Sequence, residues 1–297
     1  MSQASQPGEV PLRPGTFGEL LDAGVAVLRT RWRWLLPFGL LLATVEQLVL
    51  FPLRRLADLD LRYLPADDRW HSWMLLVVIG LATEAFVIAL LAGAAGRGIP
   101  RALLGRGAPA PPTGARPVLA LLLVAGSVAL LLGLAAATIF GWPATLYLLA
   151  PLTLGLCAWV YGAAGSAPLV VMVERRGPVA ALGRSLVLAH RGVLRVLLIR
   201  VLAYLAWGVI RVAWGFGLLG LIGLFYVSPH TTMDNILTGV VFLLINVLAY
   251  PMLGSLDASL YVAARVRTEG LDLALRRAVA RRVDPTPVLA PTAGAGP

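Results

Sequence analysis

The residues of this sequence best placed to do chemistry are ionisable groups inside apolar runs: Glu46, Glu84 and Arg211. A charged side chain at the centre of a bilayer costs about 2.5 kcal/mol or more and rarely faces lipid. Two roles follow from that cost. Opposite charges at similar depth can neutralise one another and fix helix register, or they can line a polar path for an ion, a proton or a lipid head group. Glu84 falls near the middle of the second apolar run, Arg211 near the middle of the fifth, and Glu46 in the outer half of the first. Asn246 and Asp257, in the sixth run, are weaker signals. Asn246 could hydrogen-bond across helices, and Asp257 lies close enough to the inner end to meet Arg265 or water.

Other chemistry is thinly supplied. His71 and His230 lie in loops with no second ligand at metal spacing, and Cys157 stands alone in an apolar stretch. A disulfide framework and a cysteine metal site are therefore both out of reach. The sequence carries no nucleophile–base pair, phosphate loop, zinc helix or dinucleotide fingerprint. An enzyme is thus the least supported class, and neither a cofactor nor a metal is implied.

The elements that position these residues follow from composition. Hydrophobic residues make up 59% of the 297, charged residues 13%, and the mean hydropathy is +0.82. Soluble domains hold about 45–50% apolar and about 25% charged residues. The fold class expected is all-α, a polytopic membrane bundle of about six transmembrane helices. At about twenty apolar residues per crossing, the spans fall near 34–51, 73–96, 118–140, 144–173, 197–227 and 236–261. The third and fourth meet at a hairpin through Gly141-Trp142-Pro143, and the long fourth span should kink at Pro151 or Pro168. Glycines at 93 and 96, and at 215, 217, 220 and 223, would permit close helix contact.

All 25 basic residues are arginine, which with abundant Ala, Gly and Leu suggests a GC-rich bacterial genome. Twenty of them would lie on one side, only Arg54, Arg55, Arg62 and Arg69 on the other, and Arg211 within a span. The positive-inside rule then places both termini in the cytoplasm, in a multi-pass protein of the bacterial cytoplasmic (inner) membrane. It also accounts for the formal charge of +10 without nucleic acid, since no basic stripe stands on a soluble fold. The first apolar run begins near Trp34 and lacks a cleavage pattern, so it is expected to remain as an anchor. The outer loop Pro52–Ser72 mixes arginines with Asp58, Asp60, Asp67 and Asp68 and should form a small, nearly neutral cap.

Three cytoplasmic segments have the pattern of helices lying on the bilayer. Thr16 and Glu19 have capping-box spacing at the head of an interfacial helix over 16–33, whose apolar face is Phe17, Leu20, Leu21, Gly24 and Leu28. Pro178 opens a second, with Val179, Leu182 and Leu186 on one side and Arg184 nearby. Gly270 begins a third over 270–283, where Leu271, Leu275 and Val279 share a stripe against Arg276 and Arg277. These segments favour anionic inner-leaflet lipid or a docked protein partner, with Arg184, Arg265, Arg267, Glu269, Arg276 and Arg277 as the residues that would meet either one. The tails 1–15 and 284–297 are rich in small residues and Pro and are expected to be disordered, as is the loop Gly98–Pro117; a single membrane domain fills 16–283.

Three stretches together resemble one family. They are Thr16-Phe17-Gly18-Glu19-Leu20-Leu21-Asp22, the segment from Glu174-Arg175-Arg176-Gly177-Pro178 to Gly183-Arg184-Ser185, and the segment from Leu260-Tyr261 through Arg265-Val266-Arg267-Thr268-Glu269-Gly270 to Asp272. Their order and topological placement are similar to bacterial membrane proteins bearing the glycerophosphoryl diester phosphodiesterase membrane domain, over about 16–282. The resemblance implies a six-helix, non-catalytic membrane domain and little about activity. Leu186 stands where that family tends to carry tryptophan, and Ala263 where it often has aspartate.

A phosphodiesterase of that name needs a soluble barrel with a histidine acid/base and metal-binding carboxylates. His190-Arg191-Gly192 mimics the opening of such enzymes, yet the following twenty residues hold no carboxylate or asparagine. Two functional classes remain open. One is a non-catalytic scaffold or accessory subunit of an envelope-associated complex. The other is a small permease or lipid-handling protein with its polar site around Glu84 and Arg211.

Overall fold

In lipid every backbone N–H and C=O must be satisfied within the protein, and a helix does this within one segment. A computed structural model describes residues 15–58, 69–104, 114–138, 143–192, 195–225 and 232–289, and these are helical almost throughout, without a strand. The elements are α1 Phe17–Leu56, α2 Trp70–Gly96, α3 Ile99–Leu104, α4 Ala115–Ala137, α5 Pro143–Ala164, α6 Ala167–Leu169 with a following π-turn Val170–Glu174, α7 Pro178–Gly192, α8 Arg195–Phe225, α9 Thr232–Glu269, α10 Leu271–Ala280 and α11 Thr286–Leu289. Among the described residues, six segments are long and apolar enough to cross a membrane: Phe17–Leu56, Trp70–Leu104, Ala115–Ala137, Ala150–Glu174, Arg195–Phe225 and Thr232–Glu269. The six-helix membrane bundle expected from composition is the architecture observed.

Helix α9 is the axis. It packs against α1, α2, α7 and α8, while α4 lies on α2 and α5 bridges α4 to α8. Close approach of α9 to α2 depends on Gly254, where an added Cβ would stand 2.8 Å from the backbone nitrogen of Ala92. Burial separates core from periphery. In the most apolar window of Ala150–Glu174, 78% of residues are buried, against 17% for α8, whose outer face is left to lipid.

Helix α1 differs from the expected interfacial segment plus span. It runs unbroken for 40 residues, through Pro37 and Pro52, behind the expected capping box at Thr16 and Glu19. Leu20, Ala23, Gly24 and Val27 are buried, and Ser259 of α9 donates to the Leu20 carbonyl at 3.1 Å. The amphipathic stripe is real, but α9, at 38 residues, is long enough to cover it, so the face meets protein rather than lipid.

The fourth span breaks where one of the two expected prolines stands. Helix α5 passes through Pro151, and the chain restarts at Ser166 with Pro168 in the first turn of α6. The π-turn ends at Arg175 in a left-handed conformation (φ 58°). Helix α7 buries Ala181, Ser185 and Leu188 and turns Val179 (85% exposed) and Leu186 outward, so its packed face is not the one expected. Gly270, at φ 60°, reverses the chain from α9 into α10, which buries Leu271 and Leu275 and leaves Val279 exposed. A left-handed backbone there carries no Cβ penalty only for glycine.

Other expectations change or fall outside the described residues. Thr286–Leu289 is a helical turn with Leu289 buried, so the expected C-terminal tail is folded at its start. The first part of the loop Gly98–Pro117 is α3. Of the glycines expected to give close contact in α8, an added Cβ at Gly215 would touch Phe242, but at Gly217 and Gly220 it would meet nothing within 4 Å. The N-terminal tail as far as residue 14, the outer cap over 59–68, the hairpin at Gly141-Trp142 and His230 lie outside the described residues.

Candidate functional site

Helix α9 carries buried polar side chains at four levels, and each level ties it to different neighbours. Near its start, Arg54 of α1, 1% exposed, donates to the Asn235 carbonyl at 3.4 Å and to Gln47 Oε1. Near the middle, the Tyr250 hydroxyl donates to the Glu46 carboxylate at 2.8 and 2.9 Å. Asn246 Nδ2 reaches Tyr250 Oη at 2.8 Å and Glu46 Oε2 at 3.3 Å.

Beside that group, Arg211 Nη1 of α8 meets Glu84 Oε1 of α2 at 2.6 Å, with the two side chains 20% and 8% exposed. The sequence placed Glu46, Glu84 and Arg211 within their spans, and the structure brings all three, on three helices, into one electrostatic neighbourhood. Tyr204, about two turns before Arg211 on α8, sits against the same pair. The arrangement holds two carboxylates to one guanidinium, and Glu46 is coordinated by neutral donors instead of a cation.

A third level was not legible in the sequence. Arg200 Nε of α8 meets Asp257 Oδ1 of α9 at 2.5 Å, both side chains being almost wholly buried. The same guanidinium donates to the Gly162 carbonyl at 2.7 Å and to Ser166 Oγ at 3.2 Å. Arg200 thus leaves the set of arginines expected at the inner surface, and Asp257 pairs with it and not with Arg265 or water. Gly165 makes room, since a Cβ there would stand 2.8 Å from the Arg200 guanidinium.

The fourth level unites two of the three family-like stretches. Glu174, fully buried at the end of the π-turn, accepts from Arg176 Nε at 2.9 Å, Arg184 Nε at 3.2 Å and Tyr261 Oη at 3.0 Å. Arg184 Nη2 also pairs with Glu269, whose second oxygen accepts from Arg265 Nε at 3.0 Å. Arg265 then closes on the C-terminal segment, donating to the carbonyls of Leu289 and Val288 at 2.9 Å each. The remaining stretch, Thr16–Asp22, lies against α9 just before the last of the three, where Ser259 Oγ donates to the Leu20 carbonyl at 3.1 Å.

This network divides the expected docking residues. Arg184, Arg265 and Glu269 pair with one another, and Arg265 is 3% exposed where a residue facing lipid or a partner was expected. Arg267, Arg276 and Arg277 remain outward. Glu174 and Tyr261 were not singled out as site residues; the signal available was an acid standing alone at the end of an apolar run, with Arg175 and Arg176 behind it. Past α10, the side chain and backbone N–H of Thr286 both bond to the exposed Asp284 carboxylate and hold it below the usual range.

Chemically, these levels offer charge pairing more than reactivity. His190 is exposed at the end of α7, and among the described residues no three His, Cys, Asp or Glu side chains gather as metal ligands would. Comparison with protein-family models, with curated protein sequences and with solved structures returned no match.

Proposed function

We propose that this chain is a non-catalytic protein of a bacterial cytoplasmic membrane, both termini inside, that serves as a scaffold or accessory subunit of an envelope-associated complex. One observation carries the reading. The Glu174–Arg184–Glu269–Arg265 network fixes the π-turn, α7, the end of α9 and the C-terminal segment against one another at the arginine-rich end, and α10 follows directly with Leu271 and Leu275 buried, leaving a rigid outward face. On that face α10 presents Leu273 and Val279 beside Arg276 and Arg277. A rigid mixed apolar and basic surface is suited to holding a protein partner at the membrane, because little ordering entropy is left to lose on binding. The three stretches that resemble the glycerophosphoryl diester phosphodiesterase membrane domain converge on this end, and we take the resemblance as a proposal of kinship on that ground.

Crosslinking in native membranes, followed by mass spectrometry of the co-purified material, tests the reading. The expected result is a reproducible partner whose crosslinks to α10 disappear in Arg276→Glu/Arg277→Glu while the yield of folded protein is unchanged. Recovery of the bare protein alone, with α10 intact, would set the scaffold aside.

A second reading, a small permease or lipid-handling protein, has one observation in its favour: near the middle of the bundle Arg211 pairs with Glu84, while Glu46 is held by Tyr250 and Asn246. A carboxylate held by neutral donors at that depth is a candidate carrier of a proton or cation. Glu46→Gln would abolish solute-dependent ion uptake in proteoliposomes on this reading, and would leave partner crosslinking untouched on the first.

A further inference from the structure

We propose that Arg31, Arg97 and Arg101 form a site for the phosphate of an anionic phospholipid head group, beside the junction of α2 and α3. Arg31 projects from α1 and donates through Nη1 to the Ala95 carbonyl at 3.1 Å, at the end of α2. Its guanidinium lies in the space a side chain at 98 would occupy: a Cβ on Gly98 would stand 0.9 Å from Nη2. Arg97 and Arg101, on either side of Gly98 in sequence, are both exposed and repel the Arg31 charge. Three like charges thus gather at a half-enclosed point.

Among the described residues, none of these three arginines forms an ion pair with an Asp or Glu. Between Glu84 and Glu174 the sequence contains no Asp or Glu, so the whole connection from α2 to α4, with Arg97, Arg101, Arg106 and Arg116, is purely cationic. The contrast with Glu174 and Glu269, which between them engage Arg176, Arg184 and Arg265, is direct. Guanidinium groups bind phosphate through paired N–H donors, which makes a phosphoryl oxygen cluster the natural complement.

The source of the phosphate follows from depth. Trp32 and Trp34 follow Arg31 directly on α1 and are 52% and 83% exposed. The Arg33 guanidinium lies over the Trp32 ring at 5.7 Å. Outward tryptophans where an apolar run begins mark the head-group level of a bilayer. A lipid phosphate is therefore present at the height of Arg31 wherever the protein sits in its membrane, and uncompensated arginines select the anionic lipids.

The test is native mass spectrometry of the full chain in neutral detergent, titrated separately with phosphatidylglycerol, phosphatidylcholine and inorganic phosphate. Phosphatidylglycerol should be retained in preference to phosphatidylcholine, and Arg31→Gln, Arg97→Gln and Arg101→Gln should each weaken retention about fivefold, the equivalent of about 1 kcal/mol per arginine. Gly98→Ala keeps every charge but displaces the flexible end of Arg31, and should weaken retention to a similar extent without loss of fold. Arg55→Gln, which removes an exposed charge from the opposite end, should leave retention as in the wild type. Equal retention of the two lipids, protection by inorganic phosphate equal to that by phosphatidylglycerol, or wild-type retention in Gly98→Ala would each overturn the site.

Discussion

Asp257 and Arg200 meet at 2.5 Å inside the bundle, and the same arginine holds the Gly162 carbonyl and Ser166. The least buried of the six spans is thereby fastened to both the central helix and the break after α5. Apolar burial gives α8 little hold of its own, because most of its surface faces outward. Without a water-driven hydrophobic effect between helices in lipid, polar contacts and close packing must do the fastening.

Removing one member of that pair strands the other. Arg200→Leu or Asp257→Leu is expected to cost about 3–5 kcal/mol, whereas the double substitution should recover much of the loss because no buried charge is left alone. Thermal unfolding in detergent, followed by tryptophan fluorescence, measures it. Equal destabilisation by the single and double variants would show that packing and not charge is what matters there.

The pair at mid-depth obeys a different arithmetic, since Arg211 pairs with Glu84 while its charge also offsets that of Glu46. Arg211→Leu leaves two carboxylates facing each other and should lower both folding yield and melting temperature. Adding Glu46→Gln to Arg211→Leu removes one of the two repelling charges and should restore part of the loss, by about 1 kcal/mol or more. If Arg211→Leu folds and melts like the wild type, the pair contributes nothing to stability.

Steric fit at Gly254 yields a sharper prediction than any charge. Its missing side chain lets α9 touch the Leu91 and Ala92 backbone of α2, which cannot rotate away as a side chain could. Gly254→Val should therefore separate the two helices and cost about 1–3 kcal/mol, the usual penalty of overpacking. Gly217→Val, where a Cβ meets open space, is the control and should melt within a degree or two of the wild type.

What the sequence disclosed, and what it hid, divides along physical lines. Span number came through because length and hydropathy are properties of each segment alone, and the capping box at Thr16 and Glu19 because it is local. The approximate depth of Glu46, Glu84 and Arg211 came through because rise per residue is constant. Partner identity did not. The stripe of Leu20 and Gly24 has the same periodicity whether it meets lipid or α9, and only the three-dimensional arrangement chooses protein. Arg200 was assigned to the surface because it lies three residues past the edge of an apolar run, a distance that a helix turns into burial when an acid such as Asp257 waits across the interface. Arg184, Arg265 and Glu269 stand in the family-like stretches as candidates for a lipid or a partner, and their mutual pairing, which spans 85 positions between Arg184 and Glu269, leaves no local signal.

Orientation can be checked directly. With Cys157 replaced by serine, Arg55→Cys and Arg276→Cys place single thiols at exposed positions on opposite ends of the bundle. A membrane-impermeant maleimide should label Arg55→Cys in intact cells and Arg276→Cys only after permeabilisation, as the arginine bias requires. The reverse pattern would invert the proposed topology and remove the cytoplasmic docking face with it.

The C-terminal segment is held by the last guanidinium of the end network, and its removal should be felt at a distance. Arg265 donates to the carbonyls of Val288 and Leu289, and Leu289 is buried beside it. Truncation before Thr286 takes away both acceptors and the apolar cover while leaving Glu269 and Tyr261 as partners. A buried guanidinium that loses two acceptors raises its own desolvation cost, by about 1–3 kcal/mol on the usual scale for unsatisfied groups. The expected outcome is faster amide hydrogen exchange over α7, the end of α9 and α10, with exchange over α2 and α4 unchanged. Restoring exchange protection in the truncated chain by Arg265→Met, which removes the groups that need acceptors, would assign the effect to those hydrogen bonds. If Arg265→Met leaves exchange as fast as the truncation alone, the apolar cover of Leu289 is what stabilises this end.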